Sequence, residues 1–102
     1  MITLITQKRD RIAEHCNRLN VRRLEVFGSA ADGTFDPEKS DIDFLVEFGE
    51  HEHLDIAERY FDLEKSLMVL FDRKVDLVIA RHFKNPYFRA SVEAFKELVY
   101  AS

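Results

Sequence analysis

The chain has a single cysteine, Cys16, among its 102 residues. It cannot form an internal disulfide, which fits a reducing compartment and predicts a cytoplasmic protein. On a helix, such a residue reads as a small buried hydrophobe rather than a catalytic thiol. With three glycines and two prolines, the chain shows no linker, low-complexity segment or internal repeat. No apolar run approaches ~18 residues, so no membrane-spanning helix and no membrane partner are expected. Residues 1–9 lack the apolar core and small-residue cleavage site of a signal peptide. The body of the chain is also short of positive charge. Residues 1–23 carry six basic and two acidic side chains, the remainder nine basic and seventeen acidic. An acidic body argues against direct nucleic-acid binding, which favours a basic face. The basic N-terminal segment reads first as a solvated face, and second as an attraction for an acidic partner or a triphosphate. Apolar residues make up 46% of the chain. That composition and length predict one globular domain, 1–102, with one modest core.

Periodicity places the elements. Ile5, Ile12, Cys16 and Leu19 repeat at helical spacing and predict an amphipathic helix over residues 3–19. Arg23 to Phe27 reads as a short strand ended by Gly28. Ser29 opens a short helix, and Asp32-Gly33 and Asp36-Pro37 mark turns. Asp41 to Phe48 is a strand with Ile42, Phe44, Val46 and Phe48 on one face and Asp41, Asp43, Leu45 and Glu47 on the other. Ile56, Tyr60, Leu63, Leu67 and Leu70 predict a second long helix. Val75 to Ala80 reads as a third strand. Asn85-Pro86 fits the start of a last helix carrying Val92, Phe95 and Leu98. Val99 and Tyr100 either extend that helix or form a terminal edge strand. The expected fold is α/β (α+β): a small mixed sheet of three or four strands backed by helices, with the site on its open face.

The chemistry concentrates between Val26 and Val46. A Gly28-Ser29 turn feeding a helix offers backbone N–H groups and a hydroxyl to a phosphate. Asp41 and Asp43, two apart on a strand, point to one side with Cα atoms about 6.5 Å apart. Carboxylates that close repel unless a positive charge sits between them, and a divalent metal is the usual solution. Asp76 is the third piece, the one carboxylate in an otherwise apolar strand, and costly to bury without a partner. If its strand lies beside Asp41–Phe48, Asp76 faces Asp43. Three carboxylates on adjacent strands then form a hard-oxygen site suited to Mg²⁺. Two such ions could hold an ATP triphosphate and activate an incoming hydroxyl. The plainer alternative is that Asp41 caps a turn, Asp43 is exposed and Asp76 pairs with Arg73 or Lys74.

Gly28-Ser29, eleven residues, then Asp41-Ile42-Asp43, with Asp76 in Arg73-Lys74-Val75-Asp76-Leu77-Val78, resembles the nucleotidyltransferase fold of the DNA polymerase β superfamily. Within it, the chain is similar to the minimal nucleotidyltransferases along nearly its whole length, including Asn85-Pro86-Tyr87-Phe88-Arg89 and Val99-Tyr100-Ala101. The resemblance implies that Gly28 and Ser29, with Ser40, hold the nucleotide. It implies that Asp41 and Asp43 bind two Mg²⁺ ions and that Asp76 binds the one activating the nucleophile. It further implies an ATP-dependent protein adenylyltransferase. Such an enzyme moves AMP from ATP to a tyrosine of a HEPN-domain RNase toxin. It would act as antitoxin of a type VII pair and form a hetero-oligomer with the toxin. A small-molecule nucleotidyltransferase of the antibiotic-modifying kind and a non-catalytic toxin-masking module are the alternatives. The family often has Arg-Gly after the Gly-Ser turn. Here those positions are Asp32-Gly33, which bears on nucleotide affinity.

Other candidates are weaker. His51-Glu52-His53 reads as a solvated loop rather than a metal site. His15 and His82 are isolated. The nine phenylalanines read as core packing rather than a stacking platform.

Overall fold

A computed structural model describes residues 1–51, 54–80 and 85–102. Among the described residues nine elements follow in order: α1 (Thr3–Thr6), α2 (Arg9–Arg18), β1 (Val21–Phe27), α3 (Ser29–Asp32), β2 (Ile42–Phe48), α4 (Ile56–Phe71), β3 (Val75–Ile79), α5 (Pro86–Phe95) and β4 (Glu97–Ala101). They form the expected mixed α/β fold. The sheet has four strands in the order β3-β2-β1-β4. β1 pairs antiparallel with β2 and with β4. β2 and β3 are parallel, and α4 is the crossover that a parallel pair requires.

Local sequence explains the boundaries. Asp55 caps α4, its carboxylate accepting from the Glu58 amide at 2.7 Å, and satisfies an otherwise orphaned donor. Asp72 ends that helix in the left-handed region at φ 50°. Asn85 caps α5 through the Tyr87 amide at 2.9 Å, with Pro86 in the first turn. The helix expected over 3–19 is two helices, broken at Gln7–Lys8. The Thr6 hydroxyl donates to the Thr3 carbonyl, and the Lys8 amide closes a tight turn on Ile5. Threonines that bond the local backbone compete with helix continuation. Of the two options for the C-terminus, the edge strand is found. Lys96 is extended at φ −59°, ψ 144°, so Leu98 leaves the helix, and Tyr100 pairs with Leu24 of β1.

The main core lies on one sheet face. Ile42, Phe44 and Val46 of β2 are fully buried there with Ile12 and Cys16 of α2 and Leu63 and Leu67 of α4. Cys16 behaves as the small hydrophobe expected, and burial pushes its thiol up to about 12. Arg59 is a buried cation on α4. It donates to the carbonyls of Leu19 and Gly49 at 3.2 and 2.7 Å and lies over the Phe48 ring. It thereby ties the end of α2 to the end of β2 with a favourable charge at a helix C-terminus. The opposite face carries a smaller cluster of Phe27, Leu45 and Val92. α5 thus covers part of the face expected to be open. No described helix is long and apolar enough to cross a membrane.

Candidate active site

The site sits where β1 ends beside the start of β2. Gly28 follows β1 at φ 67°, a conformation that L-residues with a Cβ avoid. A Cβ at this position would overlap the Asp43 carboxylate. Glycine is therefore required twice, for its backbone angle and for the approach of Asp43. The turn feeds α3, whose Ala31 and Asp32 amides bond the Gly28 carbonyl. Ser29 is the first residue of this helix. Asp32, the last residue of α3, bonds within its own loop. Its carboxylate accepts from the Thr34 amide at 2.9 Å and the Thr34 hydroxyl at 2.6 Å, bonds that hold its pKa below the usual carboxylate range.

The parallel register sets Asp43 opposite Asp76. Their proximity has an electrostatic signature. The Asp43 carboxyl is pushed up to about 6, first by burial, then by the Asp76 charge and a hydrogen bond shared with Asp76, then by the Asp41 charge. Lys74 opposes the shift. Asp41, just ahead of β2, lies 3.7 Å from the Lys74 ammonium. Lys74 thus pairs with Asp41, while Arg73 reaches towards the Ser40 carbonyl and stacks over Phe35. The structure brings Asp43 against both Gly28 and Asp76, and Asp41 acts on it through its charge. Ser40 stands apart in the preceding loop, where its hydroxyl accepts from the Asp36 amide at 3.0 Å.

Among the described residues, no three His, Cys, Asp or Glu side chains are gathered closely enough to hold a metal ion as they stand. The donor chemistry nevertheless fits Mg²⁺. The ligands are hard oxygens, and Asp43 has excess negative charge around it that a divalent cation would relieve.

Beside this pair lies an open cleft of about 340 Å³. Asp43 and Asp76 line it with Tyr60 and Glu64 of α4, Phe27 of β1 and Phe88 of α5. The Tyr60 hydroxyl donates to the Leu77 carbonyl at 2.6 Å. Burial raises its pKa first, followed by Glu64 and then Asp76. Phe27 and Phe88 meet edge to face, centroids 6.1 Å apart. Sequence reasoning placed Tyr60 in an apolar stripe and did not single out Glu64. Their spacing of four residues put both on one helix face, the signal that could have found them. The phenylalanine reading also needs correction. Phe44 and Phe71 are core, but Phe61, Phe88 and Phe95 are 63%, 44% and 56% exposed. None of these three belongs to the main core, and Phe88 packs against Phe27 beside the cleft.

Neither described histidine lines the cleft. His15 lies against Arg18, and His51 Nδ1 is 3.1 Å from the Leu54 amide. Glu52, His53 and His82 fall outside the described residues.

Against known proteins, the sequence model described as a nucleotidyltransferase domain matches residues 9–99. A Methanocaldococcus jannaschii protein, named as a candidate protein adenylyltransferase, is 43% identical over 83 residues, covering 81% of this chain and 79% of that one. A solved candidate minimal nucleotidyltransferase superposes with a TM-score of 0.72 at 31% identity, covering 94% of this chain and 95% of that one. A chain of the Shewanella oneidensis complex between a tri-AMPylated HEPN toxin and its minimal nucleotidyltransferase antitoxin gives a TM-score of 0.64. That match covers 96% of this chain and 73% of that one. At 20% identity it is a likeness of fold.

Proposed function

This chain belongs to the nucleotidyltransferase domain family. On that premise we propose that it transfers AMP from ATP to a tyrosine of a partner HEPN-domain RNase toxin, and so acts as that toxin's antitoxin. The observation that carries the reading is the register of Asp43 against Asp76, with Gly28 opened to admit the Asp43 carboxylate. A merely structural carboxylate pair would carry a cation between its members. Among the described residues, the Lys74 ammonium pairs with Asp41 instead. The Methanocaldococcus relative is named for adenylylation of protein, and the Shewanella complex holds an AMP-modified HEPN toxin.

The residues divide the work by position. Ser29 and the amides of the turn receive the β/γ-phosphates at the start of α3. Asp41, Asp43 and Asp76 would hold Mg²⁺, which when bound supplies charge neutralisation for the phosphates and acidity for the acceptor hydroxyl. The tyrosine oxygen bonds the α-phosphorus as the bridge to the β-phosphate breaks. Pyrophosphate leaves, and the phenolic proton passes to solvent.

The test is to purify the protein with a HEPN-domain toxin as partner and add ATP and Mg²⁺. Intact-protein mass spectrometry should show AMP on the toxin, and RNase activity should fall. Asp41→Ala, Asp43→Ala and Asp76→Ala should each remove modification and protection together. Full protection by the triple alanine variant would make the protein a masking module instead.

A further inference from the structure

We propose that Lys74 is a switched cation of the nucleotide site. It holds Asp41 while the site is empty, and it passes to the β/γ-phosphates when Mg²⁺ takes the carboxylates. The proposal rests on the nucleotidyl-transfer reading and adds a triphosphate-binding residue that this reading does not use.

The strand register puts Lys74 at the site. β2 and β3 run parallel, with Ile42 opposite Val75 and Asp43 opposite Asp76. The Ile42 amide donates to the Lys74 carbonyl at 3.3 Å. One step back along both segments, Asp41 and Lys74 bring their charged groups to 3.7 Å. Residues two apart on a strand share a face. Asp41, Asp43, Asp76 and Lys74 therefore stand as the corners of a square, three of them carboxylates and the fourth an ammonium. Gly28 approaches the Asp43 carboxylate from the end of β1. The phosphate turn and Lys74 thus flank β2 from opposite sides, two strand spacings or about 10 Å apart. An extended triphosphate and a lysine side chain together cross that distance.

Charge explains why the ammonium would move. Residues 28–41 carry Asp32, Asp36, Glu38 and Asp41 against Lys39 alone, so the segment that receives the phosphates is itself acidic. Mg²⁺ offsets the carboxylates and part of the triphosphate, and fixed side-chain cations complete such clamps in phosphoryl chemistry. Arg73 is already engaged, stacked over Phe35 and reaching towards the Ser40 carbonyl. Lys74 is not held in this way. Its side chain is 68% exposed, and an ion pair so open to water is weak. Its charge also opposes the upward shift that burial and Asp76 impose on Asp43. The empty site thus keeps a cation beside its carboxylates at little cost. Once Asp41 and Asp43 hold a divalent ion, Lys74 meets a like charge at short range. A triphosphate beside it then offers the stronger acceptor, and a compact ammonium on a flexible stem can follow it.

The test compares wild type with Lys74→Met, which keeps the stem without the charge, and with Lys74→Arg. Mn²⁺ alone, followed by the paramagnetic resonance of the unbound ion, should bind Lys74→Met about three-fold more tightly or better, because a competing cation is gone. Isothermal titration with α,β-methylene-ATP follows, at Mg²⁺ concentrations that fill the site in both proteins. Lys74→Met should bind this triphosphate about five-fold more weakly or worse, having lost a charge-assisted contact. AMP should bind the two proteins within about two-fold, since it lacks the β/γ-phosphates, and Lys74→Arg should keep most of the triphosphate affinity. Opposite signs for metal and triphosphate separate the switch from damage to the fold, which weakens both. Unchanged triphosphate affinity in Lys74→Met would leave Lys74 a surface ion pair and overturn the proposal while nucleotidyl transfer stood. Equal losses for AMP and the triphosphate, or Mn²⁺ binding no tighter than in wild type, would overturn it too. A wild-type protein that bound neither Mn²⁺ nor nucleotide would bring down the nucleotidyl-transfer reading, and the switch with it.

Discussion

The two faces of β2 obey different physics. On one face Ile42, Phe44 and Val46 are wholly buried beneath α2 and α4. On the other, Asp43 stands against Asp76 with its carboxyl pushed up to about 6. The first face gains stability from every apolar atom it removes from water. The second accepts repulsion that a folded chain would avoid if stability alone were selected. Strain of this kind clusters where a protein binds or reacts. Strand alternation makes the division possible, because neighbouring residues on one short segment look in opposite directions. Changes on the core face should therefore cost stability, and changes on the carboxylate face should cost function.

Gly28→Val should have the largest effect and should cross that division. A side chain there meets the Asp43 carboxylate and an unfavourable backbone angle together. We expect ATP·Mg²⁺ binding to fall below detection by isothermal titration and the melting temperature to drop. Unchanged binding would move the phosphate site elsewhere. Phe44→Ala tests the core face alone. It should cost about 3–5 kcal/mol in denaturant unfolding, the range for truncating a buried phenylalanine. A loss under ~1 kcal/mol would mean that the core face is not what holds the sheet. Ser29→Ala should leave unfolding unaltered and weaken ATP binding by about 1.5–3 kcal/mol, one hydrogen bond to a charged group.

Much of this division was legible in the sequence, and for a physical reason. Period-two alternation reports side-chain direction directly, so Asp41 and Asp43 separate from Ile42 and Phe44 by inspection. Gly28 was legible as a turn, although its contact with Asp43 depends on how β1 and β2 meet. The pairing of Asp43 with Asp76 was conditional on strand order, which local pattern does not carry. The break at Gln7–Lys8 was hidden because Ile5, Ile12 and Cys16 keep helical spacing across it. β4 stayed ambiguous because a five-residue strand at the end of the chain takes its identity from its partner, β1. The cleft was missed altogether. Its walls come from β1, α4 and α5, and no local window contains them. Tyr60 looked like core because it shares the stripe of Leu63 and Leu67. Its place in the cleft beside Asp43 and Asp76, and its hydrogen bond to Leu77, show that it borders the site.

The smallest change in free energy gives the sharpest separation of the two faces. Asp43 titrates at about 6 in the folded protein and near 3.9 when unfolded. A carboxyl whose folded pKa is raised contributes stability that is full below about pH 4 and is lost as pH rises through about 6. The shift corresponds to about 3 kcal/mol, reduced to about 1–2 kcal/mol because the group is roughly half solvated. Metal-free Asp43→Asn should therefore match wild type near pH 4 and be more stable by about 1–2 kcal/mol at pH 7.

The decisive measurement is the melting temperature of wild type and Asp43→Asn at pH 7, each with and without Mg²⁺ and ATP. The variant should melt at or above wild type when ligand-free, and the ligand-induced rise seen in wild type should vanish. A ligand-free Asp43→Asn that melts well below wild type, or that keeps the full rise, would contradict the assignment of this face to function.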